Sequence, residues 1–536
     1  MIRGMHMDLP RIPFTILALA PFSEVSEDSF SPEIIGASLD TLDNAIDSLA
    51  STLFIPVSKD LCPAGILPFK PSGIKDFRPQ AMVKNIPYLK SLLDAKEFIE
   101  QAGPKGLSDE QIVRLLQEDW PDLPLDLTIA PGEAPSQPEE SSAVDDLLAM
   151  VAVPGGTGAE ARSGKGGARA WKGQVGSLMA KLLEIIFADE TFRLTEASWK
   201  GVETLVRQGP VKQEEGIALN ICPISRDVLP AAMDSLISSL ADDMPNLILI
   251  DLPFDNSTPS MELLKKIADF AATLLVPTAV WIGPRFFHIQ NWNELKKLPY
   301  LKHYLEDAAY AKWRKLKEHP GSEWLVMTTN RFIIREPYGE GNPPRTVFFE
   351  ENEPLWISPV WALGTLMAKS VVKYGWPTRF TDYRNIALSN LAVGPFGGKE
   401  SASTETVFSE ERIMQFVESN ITVLAGALRK DSAFIPKEAT LSGASLKFQL
   451  FFNRIIGYLF SLKDEMGKSA GDADLGARLE AALAELFRHT GHEPPADISV
   501  HAEQAEPGER IPLRIAFTPP GSILPTSERL EFSLAW

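Results

Sequence analysis

Residues 358–377 constrain the fold of this 536-residue chain more than any other stretch. Ser358 is placed to cap a helix, and Pro359 takes its first position, where a missing N–H costs nothing. Gly375 and Pro377 then stop it. In between, Val360, Leu363, Met367 and Val371 recur at three- and four-residue steps, and Trp361 and Leu366 widen the apolar face. A helix this apolar must lie inside protein. Lys369 and Lys373 interrupt it too early for a membrane span. Two β-type runs precede it, residues 324–328 and 332–334, with Arg331 and Arg335 framing the second.

A β-α-β unit lies upstream. Residues 247–252 form a continuous apolar strand of the kind buried on both faces. Thr258 reads as a cap and Pro259 as the start of a helix over 260–275, and the chain returns as a strand at 278–282. Asp251 sits near the carboxyl end of the first strand, where α/β enzymes often place an acid. Ordering a loop is the plainer role for it, because no phosphate loop, nucleophile elbow or convergent histidine accompanies it. Helices are expected at 175–188, 194–208, 228–241, 306–317, 410–419, 445–466 and 474–488, with strands at 217–221, 421–425, 511–517 and 530–536. The aromatic stripe of the 445–466 helix (Phe448, Phe451, Phe452, Ile455) reads as core.

The first region, residues 1–130, begins with a trap. Arg3 and Arg11 precede an apolar run, and Ala18-Leu19-Ala20 mimics a signal-peptidase site. Pro10, Pro13 and Pro21 punctuate that run, so a buried strand at 14–19 is the better reading. A helix at 40–50, strands at 52–57 and 65–69, and a helical stretch at 74–102 interrupted by Pro87 follow. Ser108 and Gln111 form a capping box for a helix at 108–119. Residues 131–170 then turn to Gly, Pro, Ser, Glu and Ala, the composition of a flexible linker. Inside it residues 141–153 form a helical island. Gly158 to Gly166 imitates a phosphate loop with the wrong glycine spacing. Residues 171–536 make the second region. The fold class is therefore α/β: mixed sheets with flanking helices, in two domains joined by a flexible linker.

The formal charge of −19 argues against a nucleic-acid partner, since phosphate binding needs a basic face. With 2 cysteines, neither a disulfide framework nor a cysteine zinc site is expected, which suits a reducing cytoplasm. His489 and His492 lack a third metal ligand. No cofactor, metal or membrane insertion is expected.

The second region resembles a known family. Residues 330–339, NRFIIREPYG, are similar to the PRF-x-x-R-x-PYG signature of the large subunit (TssC or VipB) of the bacterial type VI secretion contractile sheath. Phe349-Glu350-Glu351, Leu355-Trp356 and Tyr374-Gly375-Trp376 follow in the family's order. Upstream, Phe192, Leu194, Glu196-Ala197, Trp199, Gly201-Val202 and Leu205-Val206 match F-x-x-LEA-x-W-x-GL-x-x-LV. Asn330 departs from the family's proline. The first region resembles the small subunit (TssB or VipA) through Ile12-Pro13-Phe14, Asp76-Phe77-Arg78-Pro79 and residues 87–93.

The resemblance implies a small-and-large subunit fusion that polymerises helically around an inner tube protein, contacts a baseplate and contracts, with no catalytic residues. It makes Trp199, Arg331, Phe332, Arg335, Pro337, Tyr338, Glu350, Trp356 and Trp376 structural signature positions. It gives the 141–153 island, through Asp145, Leu147, Leu148, Met150 and Val151, to an AAA+ sheath-recycling unfoldase (ClpV). It makes two marginal strands, one with Leu125, Leu127 and Ile129 and one with Leu530, Phe532 and Leu534, candidates for exchange between protomers. Two alternatives stand beside it. One is a sheath-related adaptor or cap. The other is an α/β enzyme acting on an anionic small molecule through Asp251 and the Arg331/Arg335 pair.

Overall fold

The apolar run after Pro13 becomes β1 (Phe14–Ala20), and all seven residues are buried. The computed structural model describes residues 13–25, 31–128, 165–212, 216–241, 243–395, 401–466, 475–503 and 510–536. Further strands are β2 (Ile35–Gly36), β3 (Leu53–Pro56), β4 (Ile66–Phe69), β5 (Ile217–Pro223), β6 (Leu247–Phe254), β7 (Thr278–Ile282), β8 (Leu325–Thr329), β9 (Phe332–Arg335) and β10 (Leu355–Ile357). The chain closes with β11 (Gly394–Pro395), β12 (Ser401–Ala402), β13 (Thr422–Val423), β14 (Ala425–Gly426), β15 (Ala433–Phe434), β16 (Ser499–Ala502), β17 (Pro512–Phe517) and β18 (Leu530–Ala535).

Seven strands form the central sheet in the order β13-β8-β7-β6-β1-β5-β2, parallel except for β2. Its strands read as unbroken apolar runs because helices cover both faces. Phe14, Ile16 and Ala18 of β1 point into one core, which also holds helices Lys165–Ala188, Glu190–Gln208 and Pro359–Tyr374. Leu17 and Leu19 point into a second core, under helices Leu229–Leu240, Thr258–Leu274 and Ala311–Lys317. The fold is thus mixed α/β, with a largely parallel sheet between two helical layers.

The first and second regions do not fold apart. Strand β1 pairs with β5 along Phe14–Ala20 and with β6 along Ile16–Leu19, so the start of the chain fills a slot between strands from beyond residue 216. The first region's helices Pro79–Asn85, Pro87–Ala102 and Asp109–Asp119 share the first core with the second region. A third core, around Trp376 and Phe451, joins helices Leu446–Met466 and Leu475–His489 to the antiparallel sheet β16-β17-β18.

Several expected boundaries move. The helix expected at 175–188 begins at Lys165, inside the expected linker. Ser257, not Thr258, caps the helix Thr258–Leu274 by accepting from the Ser260 N–H. The helix expected at 306–317 is broken into a 3-10 turn, Ala308–Tyr310, and the shorter Ala311–Lys317. Leu125 and Leu127 are half-buried against the first core in chain that is not strand, because Asp126 N–H donates to Gln174 instead of to a neighbouring strand. Ile129 and the island with Asp145, Leu147, Leu148, Met150 and Val151 lie outside the described residues. The expected surface excursion at 394–404 holds the short pair β11 and β12, and Ser403 and Thr404 are buried.

A β1 held on both edges makes a clear expectation. Residues 165–536 produced without residues 1–128 should aggregate, because β5 and β6 would each expose an unpaired edge. Co-production of residues 1–128 should restore a soluble complex, read by size-exclusion chromatography.

Candidate functional site: a buried arginine–glutamate network

The helix Glu190–Gln208 presents Phe192, Thr195, Trp199 and Val202 at helical spacing, and Glu196 lies on that same buried stripe. A carboxylate there needs a cation. Arg335, the last residue of β9, supplies it through two hydrogen bonds, Nη2 to Oε2 at 3.2 Å and Nε to Oε1 at 3.3 Å. The same guanidinium donates to both oxygens of Glu351. Glu351 in turn accepts from Arg193 Nη1 at 2.6 Å and from the Tyr338 N–H at 3.1 Å. Arg193 also donates to the Pro354 carbonyl at 2.6 Å. Arg335 lies 4.5 Å from the Tyr338 ring centroid and 5.3 Å from that of Phe187. Its two carboxylates outweigh the burial and push its pKa up, so the cation is fixed. Glu196 and Glu351 side chains are each 2% exposed.

The other signature positions are equally occupied. Arg331 donates bidentately to Glu405 at 2.8 and 3.0 Å, with its guanidinium 5.7 Å from the Trp356 ring. Phe332 is fully buried, and Pro337 is half-buried beside the network. The Trp199 indole donates to the Phe22 carbonyl at 3.1 Å, which ties the exit of β1 to the second region. The Trp376 indole donates to Thr490 Oγ1 at 2.8 Å between the rings of Phe451 and Phe487. Glu350, expected as a signature position, is exposed, and its neighbour Glu351 takes the inward place in the alternation Val347, Phe349, Glu351. Asn330 takes φ +77°, which a proline ring forbids, and its side-chain amide bonds the carbonyls of Thr406 and Leu424.

Two glycines fix how the central helix seats. A Cβ on Gly201 would lie 2.4 Å from the Trp361 indole, so only glycine lets the helices Glu190–Gln208 and Pro359–Tyr374 approach this closely. Gly375 ends the second helix at φ +71°, against the Thr490 carbonyl.

The residues of the enzyme alternative do not converge. Asp251 Oδ2 accepts from the Trp361 indole at 2.6 Å, and Trp281 and Ser358 lean on the same carboxylate without completing hydrogen bonds. Burial raises its pKa. Ser358 holds the capping position without a capping hydrogen bond. Arg331 and Arg335 are each spent on glutamates, so neither is a free anion-binding cation. His489 pairs with Glu485, while His492 bridges Ser522 and the Tyr374 carbonyl. No group of three or more possible metal ligands occurs among the described residues. No helix among them is long and apolar enough to cross a membrane.

Arg193, Glu196, Glu351 and Glu405 were not foreseen as a network. Glu196 carried a readable signal, a charge on an apolar stripe, and Glu351 carried another in its alternation with exposed neighbours. Nothing local marks Glu405, which lies 74 residues from its partner.

The chain is similar to several known proteins. Residues 245–441 match the family model VipB, described as EvpB/VC_A0108, tail sheath N-terminal domain. The type VI secretion system sheath protein TssC1 of Pseudomonas aeruginosa is 25% identical over 234 residues, 38% of this chain and 47% of that protein. The chain thus spans about half the length of that curated relative. Among solved structures, the sheath tail protein Lin1278 from Listeria innocua aligns at TM-score 0.31 and 11% identity, over 60% of this chain and 61% of that one. The helical sheath of the anti-feeding prophage in its contracted state aligns at TM-score 0.30 and 10% identity, over 62% of this chain and 77% of that one. The matched span is thus similar to the N-terminal domain of contractile tail-sheath proteins. Within that class, it is related to the type VI secretion sheath proteins of the TssC/VipB kind.

Two outcomes are expected at this site. Glu351→Gln leaves Arg193 and Arg335 without their shared anion and should lower unfolding stability by about 3–5 kcal/mol in urea titrations. Asp251 has a folded pKa above its unfolded value of about 3.9. Its ionisation therefore takes stability away as pH rises through the folded pKa. Asp251→Asn, which still offers an oxygen to Trp361, should flatten that pH dependence and be at least as stable at pH 7.

Proposed function

We propose that this chain is a protomer of a type VI secretion contractile sheath, a natural fusion of small- and large-subunit regions. It polymerises helically around an inner tube protein in the bacterial cytoplasm. Contraction replaces an extended lattice with a better-packed one and drives the tube outward, with no bond-making by this chain. The observation that carries the reading is the sheath-domain match over residues 245–441, the span that holds the NRFIIREPYG signature with Arg335 and Glu351 of its network. The fusion draws support from β1, which pairs inside that domain's sheet as a co-folding subunit must.

Strand β18 sits at the edge of its sheet, with Leu530, Phe532 and Leu534 against the third core. It pairs within the chain with β17, and its outer edge is the natural place to receive a strand from a neighbouring protomer. The same reading assigns a baseplate at one end of the polymer and an AAA+ unfoldase to residues 141–153.

Negative-stain electron microscopy of the purified chain tests this. Tubules with a regular helical repeat are expected, and deletion of residues 145–153 should leave tubules intact while blocking their disassembly by the unfoldase. Discrete small particles at every concentration would replace the polymer reading with that of an adaptor binding a sheath end.

A further inference from the structure

Two surfaces on opposite layers of the molecule complement each other. The first is a cleft of about 460 Å³ between the helices Thr258–Leu274 and Ala311–Lys317. Met261 and Leu316 form its buried floor, Pro320 lies exposed at its rim, and Lys265, Lys312 and Lys315 stand around it. Glu262 and Glu318 also line it, so three lysines meet two glutamates and the cleft is net positive on a chain of charge −19. Lys312 is engaged by Thr258 and lies 4.0 Å from Glu262. Lys265 and Lys315 are exposed, with no carboxylate partner among the described residues.

The second surface is the loop 348–353. Phe349 and Glu351 turn inward, which leaves Phe348 and Glu350 outward, and Glu353 is exposed beyond them on the side of Arg331. Phe348 is 52% exposed, a large apolar side chain held in water between Arg345 and Glu350 in the sequence. Neither a half-exposed phenylalanine nor an apolar-floored cleft is needed to hold the fold, and each lowers its free energy when covered.

Phe349 belongs to the core on one face of the central sheet, and Met261 and Leu316 belong to the core on the other. The sheet separates the loop from the cleft, so a chain cannot fill its own cleft with its own loop. We propose that the 348–353 loop of one copy seats Phe348 in the 261–320 cleft of the next, with Glu350 and Glu353 facing Lys265 and Lys315. Because the two surfaces differ, the contact is head-to-tail and propagates from copy to copy. It rests on the sheath reading and adds the lattice contact that reading lacks.

The test has two arms. Lys265→Glu with Lys315→Glu, or Glu350→Lys with Glu353→Lys, should lower the sedimentable polymer about tenfold, as loss of facing charge pairs does at interfaces. All four changes in one chain should restore it. In the second arm, a Phe348→Cys chain is mixed with a Lys315→Cys chain and oxidised. Cys62 and Cys222 are buried, so they contribute little background. A disulfide dimer should form in the mixture and in neither variant alone. Absence of the mixed disulfide, or reversal pairs that leave sedimentation unchanged, overturns the contact. A parent chain that never sediments as polymer defeats the sheath reading, and the disulfide arm alone then decides the contact.

Discussion

The capture of β1 between β5 and β6 is the constraint on which the rest of the structure depends. A parallel strand buried on both faces and paired on both edges leaves no backbone group free for water. Its entry is pinned as well: the Thr15 N–H donates to Asn246 Oδ1 at 2.9 Å. The Asn246 amide then donates to Asn453, whose own amide donates to the Leu275 carbonyl. One line of amides thus runs from the first strand to the helix Leu446–Met466. At the other end Trp199 holds the Phe22 carbonyl, and their rings lie 4.7 Å apart. The central sheet is complete only when residues more than 190 positions apart have met, so the first region belongs to the same cooperative unit as the second.

Arg331 and Arg335 of the signature are paired with glutamates inside this assembly. The network draws together helix Glu190–Gln208, which contributes Arg193 and Glu196, strand β9 with Arg335, and the loop before β10 with Glu351. Leaving any one out strands a charge in a region where desolvation is severe. Arg331 does the same between β9 and residue 405. An arrangement in which every cation is met by a carboxylate has little left to offer a small anionic ligand. It does hold a loop, 348–353, in a fixed shape at the surface.

The elements with strong local signals were legible in the sequence. The capped and glycine-stopped helix at 359–374, the apolar strand opening at Leu247 and the capping box at Ser108 were each determined by residues within a few positions. What the sequence withheld was set by distance. That β1 lies in the second region's sheet depends on pairing across about 200 residues, and periodicity carries no record of partners. Thr258 was misread as a cap because Ser257 and Thr258 are chemically equivalent candidates, and only the backbone angle separates them. The helix at 306–317 breaks because Asp307 caps the turn at Ala308 and Arg314 bonds the carbonyls of Leu305 and Asp307, competing with the helical ladder. The network was half legible: Arg335 was visible in its signature, but its acidic partners were spread over other elements.

The third core couples to the sheet through few but rigid joints. Trp376 leaves the end of the central helix and is stacked on Phe451 and Phe487, Gly375 is pressed against residue 490, and His492 bonds the Tyr374 carbonyl. All three grip the same turn of one helix, whose opposite end lies against Asp251 of β6. The sheet that ends in β18 is therefore connected through the helix Pro359–Tyr374 to the middle of the parallel sheet. The joint has no long hinge segment, because the apolar face of that helix is buried from its first turn nearly to its last. The third core and the central sheet are thus joined through one helix whose two ends are each fixed by side-chain hydrogen bonds to the other elements.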